Sequence, residues 1–182
     1  MAMDLVKLRG LYMPRLSWKY EKCAKADLWF LMAQAFQECS YHLLEEMIEG
    51  RMGSSFFHAK AVVSLFERSV EHFLKGGMAQ AGKEVPTHHF LDELYKQFKN
   101  LYPGKKFEFT GSITEMVQRS NQTPFNEFAN YPTDQSGNPW EGSCFIDIVT
   151  WFEQASKFVE DFKRLKPLMK ERYSGIESAG GK

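Results

Sequence analysis

Arg51 and His58 are the first pair in this chain whose residue types could act together on a phosphate. They stand in the run Arg51-Met-Gly-Ser-Ser-Phe-Phe-His58, with six residues between them. An arginine fork stabilises phosphate charge, and an imidazole moves a proton to or from a hydroxyl or a leaving oxygen. The remaining histidines are His42, His72, His88 and His89. His72 follows Glu71 and reads as a hydrogen-bonded structural residue near the end of a packed helix. His88 and His89 fall in the first turn expected for a third helix, where the helix dipole favours a neutral imidazole. Lys75, near the end of the second helix, should face His88 across the intervening loop. No metal chemistry is indicated: no HExxH motif occurs, and Glu38 with His42 alone is too sparse a set of ligands. No phosphate-cradling loop of the Gly-x-x-x-x-Gly-Lys type is expected, and no serine stands in a nucleophile-elbow context. No cofactor is called for.

The elements that must position these residues read as an all-α, up-and-down bundle of about four to five helices. Asp27 is a candidate N-cap for a first helix that stops at Gly50, with Leu28, Leu31, Ala35, Leu43 and Met47 on its buried side. A turn at Gly53, Ser54 and Ser55 leads to a second helix. Its Ala61, Val62, Leu65, Phe66, Ser69, Val70, Phe73 and Leu74 recur at the i, i+3, i+4 spacing of one buried face. Gly76-Gly77 weakens that helix and should end it, and Gly82 with Pro86 punctuates the following loop. A third helix should run from about His88 to Lys99 with Thr87 as N-cap.

Ser112-Ile-Thr-Glu115 fits a capping box and should open a fourth helix ending near Asn121. Residues 121–142 form a long loop rich in Asn, Pro, Ser and Gly, and loops of that length are often functional. It carries Asp134, Asn138, Trp140 and Glu141; an exposed Trp there hints at an interface. The last helix, from Ser143 to about Tyr173, places Phe145, Ile148, Val149, Phe152, Ala155, Val159, Phe162 and Leu165 on one face. Pro167 should kink or shorten it. Lys106 to Thr110 could make one short strand. Residues 1–25 form a basic leader, 26–173 the bundle and 174–182 a small, polar, flexible tail.

Composition supports one core. The chain has 182 residues, 43% of them hydrophobic and 15% aromatic, with sixteen Phe and four Trp. That is enough apolar surface for a sizeable interior. Lys plus Arg equals Asp plus Glu at 23 each, so the net charge is zero, which argues against a strongly basic nucleic-acid binder. Cys23, Cys39 and Cys144 are odd in number and widely spaced, and read as free thiols in a reducing compartment. No signal-peptide pattern and no membrane span are expected, so a cytoplasmic location follows.

Order and spacing add a further reading. Ser69, Glu71 and Lys75 at the end of a long helix, then Gly82, then Pro86-Thr87-His88 before a short helix with Leu91 and Leu94, form one pattern. Phe128-Ala-Asn-Tyr131-Pro132 before a long last helix forms another. Together they resemble the HEPN domain (higher eukaryotes and prokaryotes nucleotide-binding domain) over roughly Leu28 to Arg172. The resemblance implies a divergent member and a homodimer. Lys75, His88, Arg119, Asn126 and Tyr131 would hold a nucleotide or RNA by phosphate and base.

Many HEPN domains are metal-independent ribonucleases whose signature is Arg, four to six residues, then His, near the start of the last helix. This chain lacks it there: Arg119 has no histidine downstream. The resemblance therefore implies a non-catalytic protein that binds a nucleotide or RNA. It could instead partner a minimal nucleotidyltransferase in a toxin-antitoxin or defence-type system. An atypical ribonuclease using Arg51 and His58 is the first alternative, and a protein-protein interaction scaffold the second.

Overall fold

Among the described residues, four α-helices and a 3-10 turn account for the regular structure, and no strand occurs. The computed structural model describes residues 24–53, 55–111, 113, 136 and 147–177. The basic leader up to Cys23, the Ser112–Glu115 capping box, the fourth helix and almost all of the long polar loop with Trp140 lie outside them. So do Arg119, Asn126, Tyr131, Phe145 and Cys144.

Helix α1 spans Lys25–Ile48. Ala24, not Asp27, occupies its N-cap; Asp27 sits in the first turn, where a carboxylate suits the helix dipole, and pairs with Lys170 at 2.7 Å. Gly50, at φ +71°, takes the left-handed conformation that closes the helix end. The buried side of α1 is rotated from the expected one. Phe30, Ala33, Gln37, Ser40, Leu44 and Met47 are buried, whereas Leu31 and Ala35 are exposed and Leu28 and Leu43 half-buried. Small residues face inward because α2 approaches closely: Ser69 Oγ donates to the Ala33 carbonyl at 2.8 Å.

Helix α2, Phe56–Gln80, starts at Ser55, whose hydroxyl accepts from the His58 amide. Val62, Phe66, Ser69, Val70, Phe73 and Leu74 are buried as the periodicity predicts; Ala61 is exposed and Leu65 half-buried. The helix does not stop at Gly76-Gly77. It passes through both glycines, because their missing Cβ atoms are what admits the neighbouring rings. A Cβ on Gly76 would lie 2.7 Å from Cε1 of Phe30, and one on Gly77 would lie 2.8 Å from Cε2 of Phe98. Gly82, at φ +67°, makes the actual turn.

Helix α3 is Leu91–Leu101, with Phe90 rather than Thr87 at its N-cap, so His88 and His89 belong to the preceding loop. Leu91, Leu94 and Phe98 are buried, and the Tyr102 hydroxyl donates to the Gly77 carbonyl at 2.8 Å. The expected short strand is a 3-10 turn over Lys105–Phe107. Its neighbourhood is satisfied by side chains of the last helix instead of a partner strand. Buried Asp161 accepts from the Thr110 amide at 2.7 Å, and Arg164 donates to the carbonyls of Lys106 and Glu108.

Helix α4, Ile148–Glu177, begins where Asp147 accepts from the amides of Val149 and Thr150, and keeps its helical backbone beyond Tyr173 with Pro167 inside it. Ala155, Phe158, Phe162 and Leu165 are buried, Ile148, Phe152 and Val159 are half-buried, and Val149 is exposed.

Named contacts give the topology. Phe30 meets Phe73 and Ala33 meets Ser69, so α2 runs antiparallel to α1. Tyr41 meets Phe152 and Asp27 meets Lys170, so α4 runs antiparallel to α1. Phe66 meets Trp151 while Phe73 meets Phe162, so α4 runs parallel to α2. Phe73 is the hub of the interior: its ring packs on Phe30, Phe98, Phe109, Phe158 and Phe162. Edge-on and tilted rings at such distances add to the burial term. No helix among the described residues is long and apolar enough to cross a membrane.

Candidate functional site

The last turns of α2 carry Arg68, Glu71, His72 and Lys75 at spacings that bring them together on one side of the helix. Glu71 and Lys75 are 3% and 2% exposed, an unusual depth for an ion pair that reads from sequence as a solvated one. Lys75 Nζ lies 2.9 Å from Glu71 Oε1 and 5.4 Å from the centre of the Trp29 ring. Arg68 Nη1 donates to Glu71 Oε2 at 2.9 Å. From the loop before α3, His89 Nδ1 comes within 2.7 Å of Glu71 Oε1.

One carboxylate therefore gathers three donors. Burial pushes the Glu71 carboxyl up, but hydrogen bonds from Lys75 and His89 outweigh it and hold the group below its ordinary value. With Glu71 ionised, the His89 proton sits on Nδ1 and is donated to Oε1. Arg68 Nη1 lies 3.1 Å from the same nitrogen, so the two groups share Glu71 as acceptor. The formal sum is one negative charge against the positive charges of Lys75 and Arg68. The cluster is thus electropositive around a buried anion.

Its outward groups are Arg68, with 40% of the side chain exposed, and His89, with 60% exposed. Phe90 follows, exposed, with His88 stacked on its ring at 5.3 Å; His88 Nε2 also approaches Glu93 at 3.4 Å. A second acid one turn earlier behaves oppositely. Burial raises the Glu67 carboxyl to about 7, and its buried Oε1 has no hydrogen-bond partner among the described residues. At neutral pH such a carboxyl is about half protonated, which weakens the negative charge it sets against the cluster.

Two of the residues expected at a ligand sit otherwise than the sequence alone places them. Lys75 is enclosed between Glu71 and Trp29, so its ammonium does not face a ligand, and Arg68 takes the outward position instead. His89 rather than His88 reaches the Glu71–Lys75 pair, because the helix starts at Leu91 and leaves the histidines in the loop. His72 is structural: it packs against Trp29 and Phe36, donates from Nδ1 to the Arg68 carbonyl at 2.7 Å, and is kept neutral by burial.

Arg51 and His58 are both occupied locally. Arg51 pairs with Glu46 and Glu49 at the end of α1, and His58 Nδ1 sits 2.7 Å from the Ser55 hydroxyl at the start of α2. No hydrogen bond joins Arg51 to His58. The stretch Gly77-Met-Ala-Gln-Ala-Gly82-Lys83 has the literal spacing of a phosphate loop. Its first four residues are helical, however, and Glu84 stands where Ser or Thr would, so it cradles nothing.

The sequence reading missed Arg68, although helical spacing carried a signal for it, since it lies three residues before Glu71. Glu67 and the choice of His89 carried no such signal. Among the described residues no group of three or more His, Cys, Asp or Glu side chains could hold a metal ion. No protein-family model matches this chain, and neither a curated protein nor a solved structure matches it.

Proposed function

We propose that this chain is a non-catalytic, HEPN-like helical module that binds a nucleotide or RNA phosphate at the corner between α2 and α3. The observation that carries the reading is the pair of outward donors, Arg68 and His89, both anchored on buried Glu71. Their excess positive charge suits a phosphate oxygen, and a base would stack on exposed Phe90. The non-catalytic part rests on Arg51 and His58, each of which is committed to local structure. In this reading the chain acts as a homodimer, for which exposed Leu31 and Met32 on α1 offer apolar surface.

The test is binding of labelled short RNAs and mononucleotides to the full chain by fluorescence anisotropy. Arg68→Ala and His89→Ala should each weaken binding at least tenfold. His58→Ala should leave it unchanged, and incubated RNA should stay intact. Binding that survives Arg68→Ala would remove this corner as the site.

A further inference from the structure

A second opening lies elsewhere, between α1 and α4. It is a groove of about 410 Å³, lined on one side by Gln34, Gln37 and Glu38 and on the other by Phe162, Lys163, Lys166 and Pro167, among others. That volume falls in the range of small-molecule sites, roughly 300–1,000 Å³. None of its residues belongs to the Arg68–Glu71–His89 cluster.

Pro167 has no backbone N–H and cannot make the helical bond to the carbonyl of Lys163. Both residues line the groove, so α4 carries a carbonyl without its usual helical donor beside it. Across from it, Gln37 lines the groove, and its side-chain amide, still reached by solvent, makes no hydrogen bond within the described residues. An amide so placed has donor and acceptor capacity for a group that enters the groove.

Charge narrows the occupant. Lys166 Nζ hangs 5.8 Å from the Phe162 ring centre and 5.4 Å from that of Phe30, while Lys163 is exposed at the rim. Glu38, held by Gln34 at 2.8 Å, offsets one of the two ammonium groups. The net of one positive charge suits a monoanion and disfavours a dianion such as a phosphate monoester.

We propose that this groove binds a small aromatic monocarboxylate carrying a hydrogen-bond donor. The carboxylate lies between Lys163 and Lys166, the ring lies along Phe162 and Pro167, and the donor meets the Gln37 amide oxygen or the Lys163 carbonyl.

The full chain, labelled with nitrogen-15, would be titrated with 4-hydroxyphenylacetate and, separately, with its neutral amide. Saturable shifts at the side-chain amides of Gln34 and Gln37 and at residues 163–168 are expected, with the amide at least tenfold weaker. Lys163→Glu, an exposed change that keeps the fold, should weaken the acid at least tenfold. Gln37→Leu, its folding checked by circular dichroism, should do the same. Shifts elsewhere, no saturable shifts, equal binding of the neutral amide, or acid binding unchanged in Lys163→Glu would each overturn the proposal.

Discussion

Glu71 Oε1 and His89 Nδ1 lie 2.7 Å apart although eighteen residues separate them in the chain. This contact ties the loop before α3 to the end of α2 and leaves the imidazole edge at the surface. It also makes Glu71 the centre of a cluster in which every partner is a donor.

Breaking that centre should cost stability sharply. Glu71→Gln leaves the Lys75 ammonium buried without a counter-charge, a change expected to cost about 3–5 kcal/mol. Urea denaturation measures it. The double variant Glu71→Leu, Lys75→Met, which removes both charges, should recover most of the loss. A double variant as unstable as the single one would show that the pair's charge is not what matters.

The two buried glutamates should respond to pH in opposite directions. The Glu71 carboxyl is held below its ordinary value in the fold, so its stabilisation is present above the unfolded value near 4.5 and is lost as pH falls through the folded one. Glu67 is raised from 4.5 to about 7. Between those values the unfolded chain releases this proton and the fold retains it, so stability falls as pH rises through that window and levels off above it. The difference corresponds to about 3 kcal/mol. Glu67→Gln should therefore stabilise the protein at pH 8 and leave it nearly unchanged at pH 4. Equal effects at both pH values would contradict the assignment.

Gly76→Ala should destabilise, against the ordinary helix rule. Alanine is favoured over glycine inside a helix by about 1 kcal/mol. Here the new Cβ would meet the Phe30 ring at 2.7 Å, and overpacking of that kind costs about 1–3 kcal/mol. A lower thermal midpoint for Gly76→Ala is expected. A higher one would mean that Phe30 moves aside freely.

Pro167→Ala should stabilise. It returns an N–H to the helix and lets the Lys163 carbonyl regain its bond, removing a penalty of up to about 3 kcal/mol. Denaturant midpoints of the two proteins check it, and an unchanged midpoint would show that the helix has already absorbed the proline.

The helical fold was legible because long apolar periodicities dominate α2 and α4. Val62, Phe66, Val70 and Phe73 are buried where the spacing places them. What was not legible depends on neighbours distant in sequence. Gly76-Gly77 reads as a helix end until Phe30 and Phe98 are brought against it. The buried side of α1 is rotated because α2 packs closely on Ala33, whose carbonyl accepts from Ser69, while Leu31 and Ala35 stay exposed. At the candidate site, Glu71 and Lys75 were visible as a pair, but their burial was not, since nothing local distinguishes a solvated pair from an enclosed one. The choice of His89 over His88 turned on where α3 starts, and helix ends are the least legible part of a sequence. Gln37 carried no signal, being one amide in an α1 rich in polar residues.

The most direct test of the central claim is the thermal midpoint of the full chain across a concentration series of mononucleotides and short RNAs, run beside Arg68→Ala. A ligand that binds only the folded state raises the midpoint in a concentration-dependent way. The account predicts such a rise for at least one nucleotide or RNA, and its loss in Arg68→Ala, which leaves Glu71 its contacts with Lys75 and His89. No rise with any of them, or an equal rise in Arg68→Ala, would contradict it.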